Sequence, residues 1–342
     1  MRIIVRYPNW IGDAVMSIPA LKQIRRIFSG ATITLCSRSL VKDVFSEADF
    51  IDEILIFDKS DNPIRNLIRQ AQIWREKDFN MAILFTNSFA SALLARLADI
   101  PLRFGYSTDG RSFLLNRAFS VPEWKENRHE SYFYLNLVRE VENDVFGKTT
   151  ISEDLDISIK VSESRRTEAR ELLEINGVDT LKRTVALGVG SINSMAKRWG
   201  AEKYAKLNDL LQDKANTNVI LLGSKNELDI AMQVYNQSSL KPIVLNGKVS
   251  LAQTIAILSE IDLLISNDMG LAHVAPAVGT KTLVIFGPTN EKATQPIGSE
   301  IIRKQVECAP CMLRKCPIDH RCMKLISSEE VFMKALKMLE IR

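Results

Sequence analysis

The stretch that most constrains the fold of this chain is residues 262–289, DLLISNDMGLAHVAPAVGTKTLVIFGPT. Leu263–Ile265 is a short apolar run, which is typical of a strand buried on both faces. Turn-forming residues follow it, and residues 271–278 then predict a helix. The first N–H groups of a helix have no partner inside the helix, so a helix that begins at the carboxyl edge of a parallel sheet readily binds an anion. We expect the N–H groups of Met269–Ala272 to hold a diphosphate.

Strand-like and helix-like segments alternate on both sides of that stretch. The expected strands are residues 3–6, 33–36, 53–57, 81–85, 102–105, 184–187, 219–222, 243–245, 263–265 and 282–286. The expected helices are residues 20–28, 64–74, 89–98, 131–141, 165–175, 201–211, 227–236, 251–259, 271–278 and 331–339. This order predicts an α/β protein with two Rossmann-like, doubly wound parallel sheets.

A polar segment, residues 143–182, separates the two series and contains the expected linker. We therefore place one domain at residues 1–165 and a second at 166–325. The last residues, 326–342, contain a helix that we expect to pack back toward the N-terminal domain. Two domains of this kind would face a central cleft, with the ligand-binding loops along it.

Composition and charge exclude several classes of protein. The chain has 342 residues, of which 46% are apolar and 25% charged, as in a folded globular protein. A net charge of +4 does not require a nucleic-acid partner, but it permits an anionic substrate. No apolar run reaches the 18 residues that a transmembrane helix needs. The N-terminal sequence MRIIVRY predicts a strand rather than a signal peptide, so we expect a cytoplasmic protein.

The first polar motif is YPNWIGDAVMSIPAL, residues 7–21, which begins where the first strand ends. Asp13 would lie in a loop or short turn at the ligand edge of the sheet. There it could accept a proton from a substrate hydroxyl, or it could cap a helix, as Asp often does. We expect Asn9, Gly12 and the distant Arg111 to contact that same substrate.

The second motif, GVGSINSMAKRWGAEKY at residues 188–204, follows a strand but is not a dinucleotide-binding turn. Asn193 stands where the third glycine is required, and the next helix begins too late. The segment therefore predicts a long polar loop with Gly190, Ser191 and Ser194. Lys197 in this loop could neutralise a phosphate leaving group, or the loop could simply be solvated.

Three further polar residues are candidates for the site, and two of them, Glu227 and His273, have two interpretations each. Glu227 follows a strand and could bind a ribose hydroxyl, or it could be an acidic residue favoured by the start of a helix. Asp268 is expected to face the ligand from the loop before Gly270 and Leu271. His273, one turn into that helix, could donate to a phosphate oxygen or pack in the core.

Four of the five cysteines crowd residues 308–322, CAPCMLRKCPIDHRC. The C-x2-C pair Cys308 and Cys311 is a good zinc half-site, but Cys316 and Cys322 are more loosely spaced. A structural zinc and a compact basic loop both fit the spacing. We expect no catalytic metal and no required cofactor, because no carboxylate pair or second histidine lies nearby. Cys36 is expected to be a buried apolar residue.

Together these motifs resemble the ADP-heptose lipopolysaccharide heptosyltransferases, glycosyltransferase family 9. The segments that carry the resemblance are PNWIGDAVMSIPAL, AKRWGAEKYAKL, SNDMGLAHVAPAVGTKTLVIFGPT and the cysteine-rich segment, and they span nearly the whole chain in the family's order. The resemblance implies the GT-B fold. It also implies inverting transfer of heptose from ADP-heptose to the inner core of lipopolysaccharide, a lipid A–Kdo–heptose acceptor. The enzyme would then contact the cytoplasmic face of the membrane peripherally.

The resemblance assigns roles residue by residue. Asp13 matches the general base, and Lys197 matches the lysine that binds the donor phosphate. The residues that match the donor-binding set are Gly190, Ser191, Ser194, Glu227, Asp268, Met269, Gly270, Leu271 and His273. The chain departs from the family at Met269, where a serine is usual, and at Val189-Gly190-Ser191, where Pro-Gly-Ala is usual.

Other functions fit some of these features. A family 9 enzyme with another nucleotide-sugar or acceptor would share the motifs. A non-catalytic zinc-bearing binding protein would explain the cysteines and the basic charge, but it does not need Asp13. A nicotinamide-dependent dehydrogenase is disfavoured by the missing third glycine.

Overall fold

The computed structural model describes residues 1–340, and the chain divides into two compact units. The first is Met1–Ile157 and the second begins at Ser158. The expected boundary lay a little later, after residue 165. The helix Glu163–Ile175 explains the difference, because it packs against the helix Leu251–Leu258 and so belongs to the second unit.

The first unit contains a six-stranded parallel sheet among the described residues. In chain order its strands and helices are β1 (Arg2–Arg6), α1 (Ile11–Met16), α2 (Ile18–Ile27), β2 (Thr32–Ser37), α3 (Ser39–Lys42), β3 (Glu53–Ile56), α4 (Pro63–Glu76), β4 (Met81–Leu84), α5 (Phe89–Leu97), β5 (Leu102–Tyr106), β6 (Arg117–Phe119) and α6 (Glu130–Phe146). The spatial order is β3-β2-β1-β4-β5-β6. The order reverses between β1 and β4, as in a doubly wound nucleotide-binding fold.

The second unit repeats this topology. Its elements are α7 (Glu163–Ile175), β7 (Thr184–Gly188), α8 (Ala201–Lys214), β8 (Asn218–Leu221), α9 (Leu228–Gln237), β9 (Ile243–Val244), α10 (Leu251–Leu258), β10 (Leu263–Asn267), α11 (Gly270–Ala277), β11 (Lys281–Phe286), α12 (Glu291–Thr294), β12 (Glu300–Arg303), α13 (Arg321–Lys324) and α14 (Ser328–Leu339). The order is β12-β11-β10-β7-β8-β9, all parallel. The predicted α/β class with two doubly wound sheets is confirmed.

Local chemistry explains where several helices begin. Asn62 accepts a hydrogen bond from the N–H of Arg65 and precedes Pro63, so α4 starts with a side-chain cap and a proline whose missing N–H costs nothing. A reciprocal capping box of Ser327 and Glu330 starts α14. These signals are short-range, which is why the helix starts were predictable to within a few residues.

The elements that the sequence analysis missed are short. The strands β6 and β12 were not among the expected strands. Asp13 lies in α1, a six-residue helix separate from α2, and so in the short-turn alternative rather than an open loop. Ser17 joins these two helices, and its hydroxyl donates to the carbonyl of Asp13 over 2.9 Å.

The apolar face of the final helix packs within the second unit, and its expected contact with the N-terminal domain stays a prediction. Val331, Phe332, Ala335 and Leu339 join the core of that unit, and α14 contacts α8. The apolar stripe alone could not specify which core would receive it. Among residues 1–340, none of the helices is both long and apolar enough to cross a membrane.

Candidate active site

The polar motifs follow the strands at which each sheet reverses its order. Asn9 and Asp13 come after β1, the Lys197 loop comes after β7, and Asp268 comes directly after β10. In open α/β sheets, ligands bind outside the carboxyl ends of the strands at this point. Each unit therefore places its candidate site residues where its topology favours binding.

Asp268 is the centre of the polar cluster in the second unit. Its side chain is 6% exposed, and its Oδ2 lies 2.7 Å from Lys197 Nζ. The same oxygen accepts a hydrogen bond from Thr289 Oγ1, also over 2.7 Å. The Lys197 side chain is 26% exposed, so it is only partly covered by the fold. Thr289 was not among the residues expected in the site, because its partner Asp268 lies 21 residues away in the chain.

The loop that carries Lys197 is tied to β10 by a single fully buried amide, Asn267. Its Nδ2 donates to the carbonyls of Val189 and Gly190 over 2.9 and 3.1 Å. Its Oδ1 accepts from the N–H of Trp199 and the hydroxyl of Tyr204, each over 3.1 Å. Both ends of the loop are thus fixed, which limits where Lys197 can lie.

Helix α11 presents its N-terminus beside this cluster. Met269 is the N-cap residue and uses no side-chain hydrogen bond. The N–H groups of Gly270 and Leu271 open the helix and have no partner inside it. Met269 also packs over the end of β7, because a Cβ on Gly188 would lie 3.0 Å from its sulfur. Leu271 and His273 are buried in α11, so their side chains pack in the fold.

Glu227 forms a helix cap, the alternative to ribose binding. Its Oε2 accepts hydrogen bonds from the N–H and hydroxyl of Ser224, both over 2.9 Å, and completes a capping box. Its Oε1 lies against the backbone of Gly190, only 2.0 Å from where a Cβ at that position would be. Glycine is therefore required at residue 190 to let the carboxylate approach.

Ser191 and Ser194 shape the Lys197 loop. The buried Ser191 uses its carbonyl to accept from Nε and Nη2 of Arg198 over 3.3 and 3.1 Å. The Ser194 hydroxyl donates to the carbonyl of Arg314 over 3.3 Å. We infer that these serines act on a ligand through the loop conformation.

In the first unit, Asp13 lies in the first turn of α1. Burial raises the pKa of the Tyr7 and Tyr134 phenols, and the negative charge of Asp13 raises the pKa of both further. This carboxylate therefore lies near two protonated phenols. Asn9 Oδ1 accepts a hydrogen bond from Arg6 over 3.3 Å, which orders the turn before α1.

Arg111 is not placed to contact a substrate, contrary to expectation. It is fully buried and donates from Nε to the Tyr106 carbonyl over 3.0 Å, and from Nη2 to Asn87 Oδ1 over 3.1 Å. Its Nη1 donates to the Ser91 hydroxyl over 3.0 Å. Burial lowers the pKa of Arg111 to about 10, but the group stays charged at neutral pH. Its donors are used to hold together the loops after β4 and β5.

Arg38 is a cationic residue that the sequence analysis missed. It follows β2, beside β1, at the carboxyl edge of the first sheet. Among residues 1–340 it forms no ion pair, and its charge adds to burial in lowering the pKa of Arg6. Arg38 could have been selected from the sequence, because it directly follows a buried strand.

The four clustered cysteines do not form a metal site in the part of the chain that the structure describes. No group of three or more His, Cys, Asp or Glu side chains there could hold a metal ion. Cys308 is exposed, whereas Cys322 is buried in the core of the second unit. The segment is mostly irregular in the structure and ends in α13. Cys36 is fully buried, and burial raises its pKa to about 11, so it is an inert core residue as expected.

The geometry supports one kind of chemistry. The second unit combines a lysine, a buried carboxylate and a helix N-terminus, which together suit a phosphate-bearing ligand. The first unit supplies a carboxylate at the carboxyl edge of its own sheet. A transfer reaction that needs an anionic leaving group and a proton acceptor would use both sets.

Comparison with known proteins supports this assignment. A family model described as glycosyltransferase family 9 (heptosyltransferase) matches residues 67–321, more than half of the chain. Lipooligosaccharide heptosyltransferase 2 of Campylobacter jejuni is 26% identical over 99% of both chains. Because that enzyme and this chain align over nearly their whole lengths, the match is not confined to one domain.

Two solved structures share the fold. The structure of E. coli ADP-heptose LPS heptosyltransferase II matches with a TM-score of 0.84 at 22% identity, covering 99% of each chain. A family 9 glycosyltransferase from Veillonella parvula matches with a TM-score of 0.85 at 23% identity, covering 100% of this chain and 97% of that one. These likenesses confirm the predicted α/β fold of the GT-B type. The chain belongs to glycosyltransferase family 9, the heptosyltransferase family.

Proposed function

We propose that this glycosyltransferase moves L-glycero-D-manno-heptose from ADP-heptose to the inner core of lipopolysaccharide, in the manner of heptosyltransferase II. The observation that carries the donor assignment is the cluster of Lys197, Asp268 and Thr289 beside the N-terminus of α11. Family membership and the relatives named heptosyltransferase 2 support the sugar and the acceptor. The second unit then binds the donor, and the first binds the acceptor.

The proposed reaction is a single displacement with inversion. The acceptor hydroxyl oxygen bonds to the anomeric carbon of the heptose as the bond from that carbon to the diphosphate oxygen breaks. ADP leaves with the electron pair, and Asp13 accepts the hydroxyl proton. Lys197 and the N–H groups at the start of α11 stabilise the charge that develops on the diphosphate. No step requires a metal ion, because these groups supply the positive charge.

The carboxylate of Asp268 has a supporting role in this scheme. It keeps the Lys197 ammonium at a fixed place before the donor binds, because the two are joined at 2.7 Å. An ammonium has three protons, so Lys197 can donate to a phosphate oxygen and keep its bond to Asp268. Preorganisation of this kind reduces the ordering that donor binding would otherwise require.

The acceptor is proposed to be anionic, a phosphorylated lipid A–Kdo–heptose core. Arg38 supports this assignment, because its guanidinium forms no ion pair among residues 1–340 and lies at the carboxyl edge of the first sheet. Arginine suits phosphate and carboxylate groups because its planar donors can bind two oxygens.

Contact with the cytoplasmic face of the membrane is part of the same proposal. Helices α4 and α5 pack together and both begin at the carboxyl edge. Ile64 and Ile68 on α4 are 73% and 50% exposed, and Arg65 and Arg69 beside them are exposed too. Exposed apolar side chains flanked by arginines are typical of helices that lie on an anionic bilayer. Co-sedimentation with anionic vesicles should therefore fall when Ile64 and Ile68 are replaced by serine.

The deciding experiment is incubation with ADP-heptose and defined core acceptors, followed by mass analysis of the product. One added heptose per acceptor is expected with the wild-type chain. The Lys197→Ala variant should show weaker donor binding and slower transfer, by on the order of 10²-fold or more. Unchanged kinetics in that variant would refute the role of Lys197.

The donor has one alternative to be tested. Met269 stands where a hydroxyl is usual in the family, and its sulfur packs over Gly188. A family 9 enzyme with another nucleotide-sugar would keep the same cluster. Thermal-shift measurements with ADP-, UDP- and GDP-sugars separate the two, because only the true donor should raise the melting temperature strongly. A larger shift with a UDP- or GDP-sugar would reject ADP-heptose.

A further inference from the structure

The cysteine-rich segment, residues 308–322, contacts the backbone immediately before Lys197. The N–H of Ala196 donates to the carbonyl of Arg314 over 3.1 Å. The carbonyl of Ala196 is 2.6 Å from Nε2 of His320. A carbonyl can only accept, so Nε2 of His320 carries the proton. Both backbone polar groups of Ala196 are thus bound by one segment that lies far away in the chain.

The same segment contacts the backbone immediately before Thr289. The N–H groups of Cys311 and Met312 donate to the carbonyl of Pro288 over 3.0 and 2.9 Å. The end of the segment is also close to Gly287, where a Cβ would lie 3.3 Å from the sulfur of Cys322. The turn after β11 is therefore held from outside by two hydrogen bonds and one close packing contact.

The two backbone positions that the segment binds are each followed by a residue that contacts the same atom. Lys197 and Thr289 both contact Oδ2 of Asp268. The residue before each of them is hydrogen-bonded to residues 308–322. We propose that this segment is a brace that sets Lys197 and Thr289 against Asp268, and that His320 is a positioning residue for Lys197.

The brace is anchored in the core of the second unit at its C-terminal end. Cys322 is buried and Met323 is fully buried in the core of the second unit. Lys203 donates from Nζ to the carbonyl of Ile326 over 2.6 Å, and Trp199 donates from Nε1 to that carbonyl over 3.0 Å. His320 thus projects from a fixed base, so the bond to Ala196 transmits position to the loop.

A neighbouring residue offers a matched control. Arg321 is half-exposed, and its side chain bonds to Asp319 rather than to the Lys197 loop. Replacing it perturbs the surface of the same segment and leaves the bond from His320 to Ala196 in place. His320→Gln supplies the conservative counterpart, since its side-chain amide keeps an N–H donor.

The first arm of the test is amide hydrogen exchange on the protein without any ligand, read on peptides that cover residues 190–199. We expect His320→Ala to speed exchange there about three- to tenfold, and Arg321→Ala to leave it unchanged. His320→Gln should lie near the wild type. If the alanine variant does not fold, His320→Phe, which keeps a ring but has no N–H donor, takes its place and should speed exchange in the same way. Equal exchange in all variants would overturn the brace.

The second arm is kinetic and rests on the proposed function. His320→Ala should lower kcat/KM for the donor about tenfold, with partial rescue by glutamine, while the KM for the acceptor stays unchanged. In a Lys197→Ala background the further loss should vanish, because the residue being positioned is absent. Full additivity of the two losses would overturn the positioning role. If the wild type transfers no heptose, the proposed function fails, whereas the exchange result still decides the brace.

Discussion

Lys197 and Asp268 form an ion pair across two loops, with Nζ 2.7 Å from Oδ2. The carboxylate is nearly buried and the lysine is about a quarter exposed. A buried carboxylate needs both a counter-charge and hydrogen-bond donors, and here Lys197 and Thr289 supply them. The pair therefore orders a lysine whose side chain is still partly exposed, which fits the proposed role in binding a leaving diphosphate.

The hydroxyl of Thr289 should matter for the donor. Thr289→Val keeps the shape but removes the donor to Asp268, so the carboxylate loses one of its two partners. We expect kcat/KM for the donor to fall about tenfold, from a loss of roughly 1.5 kcal/mol in a hydrogen bond to a charged group. Thr289→Ser is the control and should retain most activity. Steady-state kinetics with ADP-heptose measure both, and equal activity of the valine and serine variants would contradict the assignment.

Asp13 should affect transfer without affecting donor binding. Asp13→Asn removes the proton acceptor and preserves size and hydrogen bonding. We expect the transfer rate to fall by about 10²- to 10⁴-fold. Calorimetric titration with ADP-heptose should give nearly the wild-type affinity, because Asp13 lies in the first unit and the proposed donor-binding residues lie in the second. Loss of donor binding, together with transfer that survives at saturating donor, would show that Asp13 has another role.

Arg111 and Arg38 make a contrasting pair in the first unit. Arg111→Met leaves several buried acceptors without their donor, including the carbonyl of Tyr106 and the side chain of Asn87. We expect a loss of about 3–5 kcal/mol in unfolding free energy. Arg38→Met should cost less than about 0.5 kcal/mol, because that side chain forms no ion pair within residues 1–340.

Acceptor kinetics separate the two arginines further. Arg38→Met should raise the KM for the anionic acceptor severalfold. The Arg111→Met molecules that do fold should keep the wild-type KM for the acceptor. Chemical denaturation and acceptor titrations measure the two effects independently. A stable Arg111→Met protein with a raised acceptor KM would restore the original expectation for Arg111.

Glu142 should make the first unit sensitive to acid. Burial raises the pKa of this carboxyl, but hydrogen bonds from Thr150 and Thr149 outweigh burial and leave the pKa below its usual value. A lowered pKa in the folded state means that the stabilisation is complete above the unfolded pKa, about 4.3, and is lost as pH falls through the folded value. Glu142→Gln should therefore destabilise the protein at pH 7 by about 1–3 kcal/mol.

The difference in unfolding free energy between Glu142→Gln and the wild type should shrink below about pH 4. Urea unfolding at several pH values measures it. Glu163→Gln is a suitable control, because Glu163 pairs with Arg170 on the surface and its side chain is 74% exposed. Surface pairs contribute little, so the control should change stability slightly at any pH. A constant difference for Glu142→Gln down to pH 3 would show that its charge is not what stabilises the loop.

Short-range signals made much of the fold predictable. Short apolar runs predicted the strands, and the structure shows side-chain caps, such as Asn62 and the Ser327–Glu330 box, at helix starts close to the expected ones. The order of elements then predicted two doubly wound sheets, because parallel strands require crossover helices. The candidate residues after β1, β7 and β10 could be selected for the same reason, since the ends of such strands are where ligands bind.

The roles of individual side chains were less accessible. Glu227 was ambiguous between a cap and a ligand; the structure shows that its Oε2 completes a capping box, and the ligand role stays a prediction. Arg111 was expected to contact a substrate, yet it is fully buried. The second unit begins at Ser158, earlier than expected, and the apolar face of α14 is buried in the core of that unit. Burial depends on what the rest of the chain places around a residue, and a local pattern does not contain that information.

The sequence by itself determined the alternation of strands and helices, the positions of the loops after β1, β7 and β10, and the family. Each of these depends on spacing within short segments. Only the tertiary structure decided which distant groups meet. Lys197 and Thr289 share one carboxylate oxygen of Asp268, and residues 308–322 bind the backbone beside both. These contacts join segments that are far apart in the chain, so they arise only when the sheet brings its strand ends together.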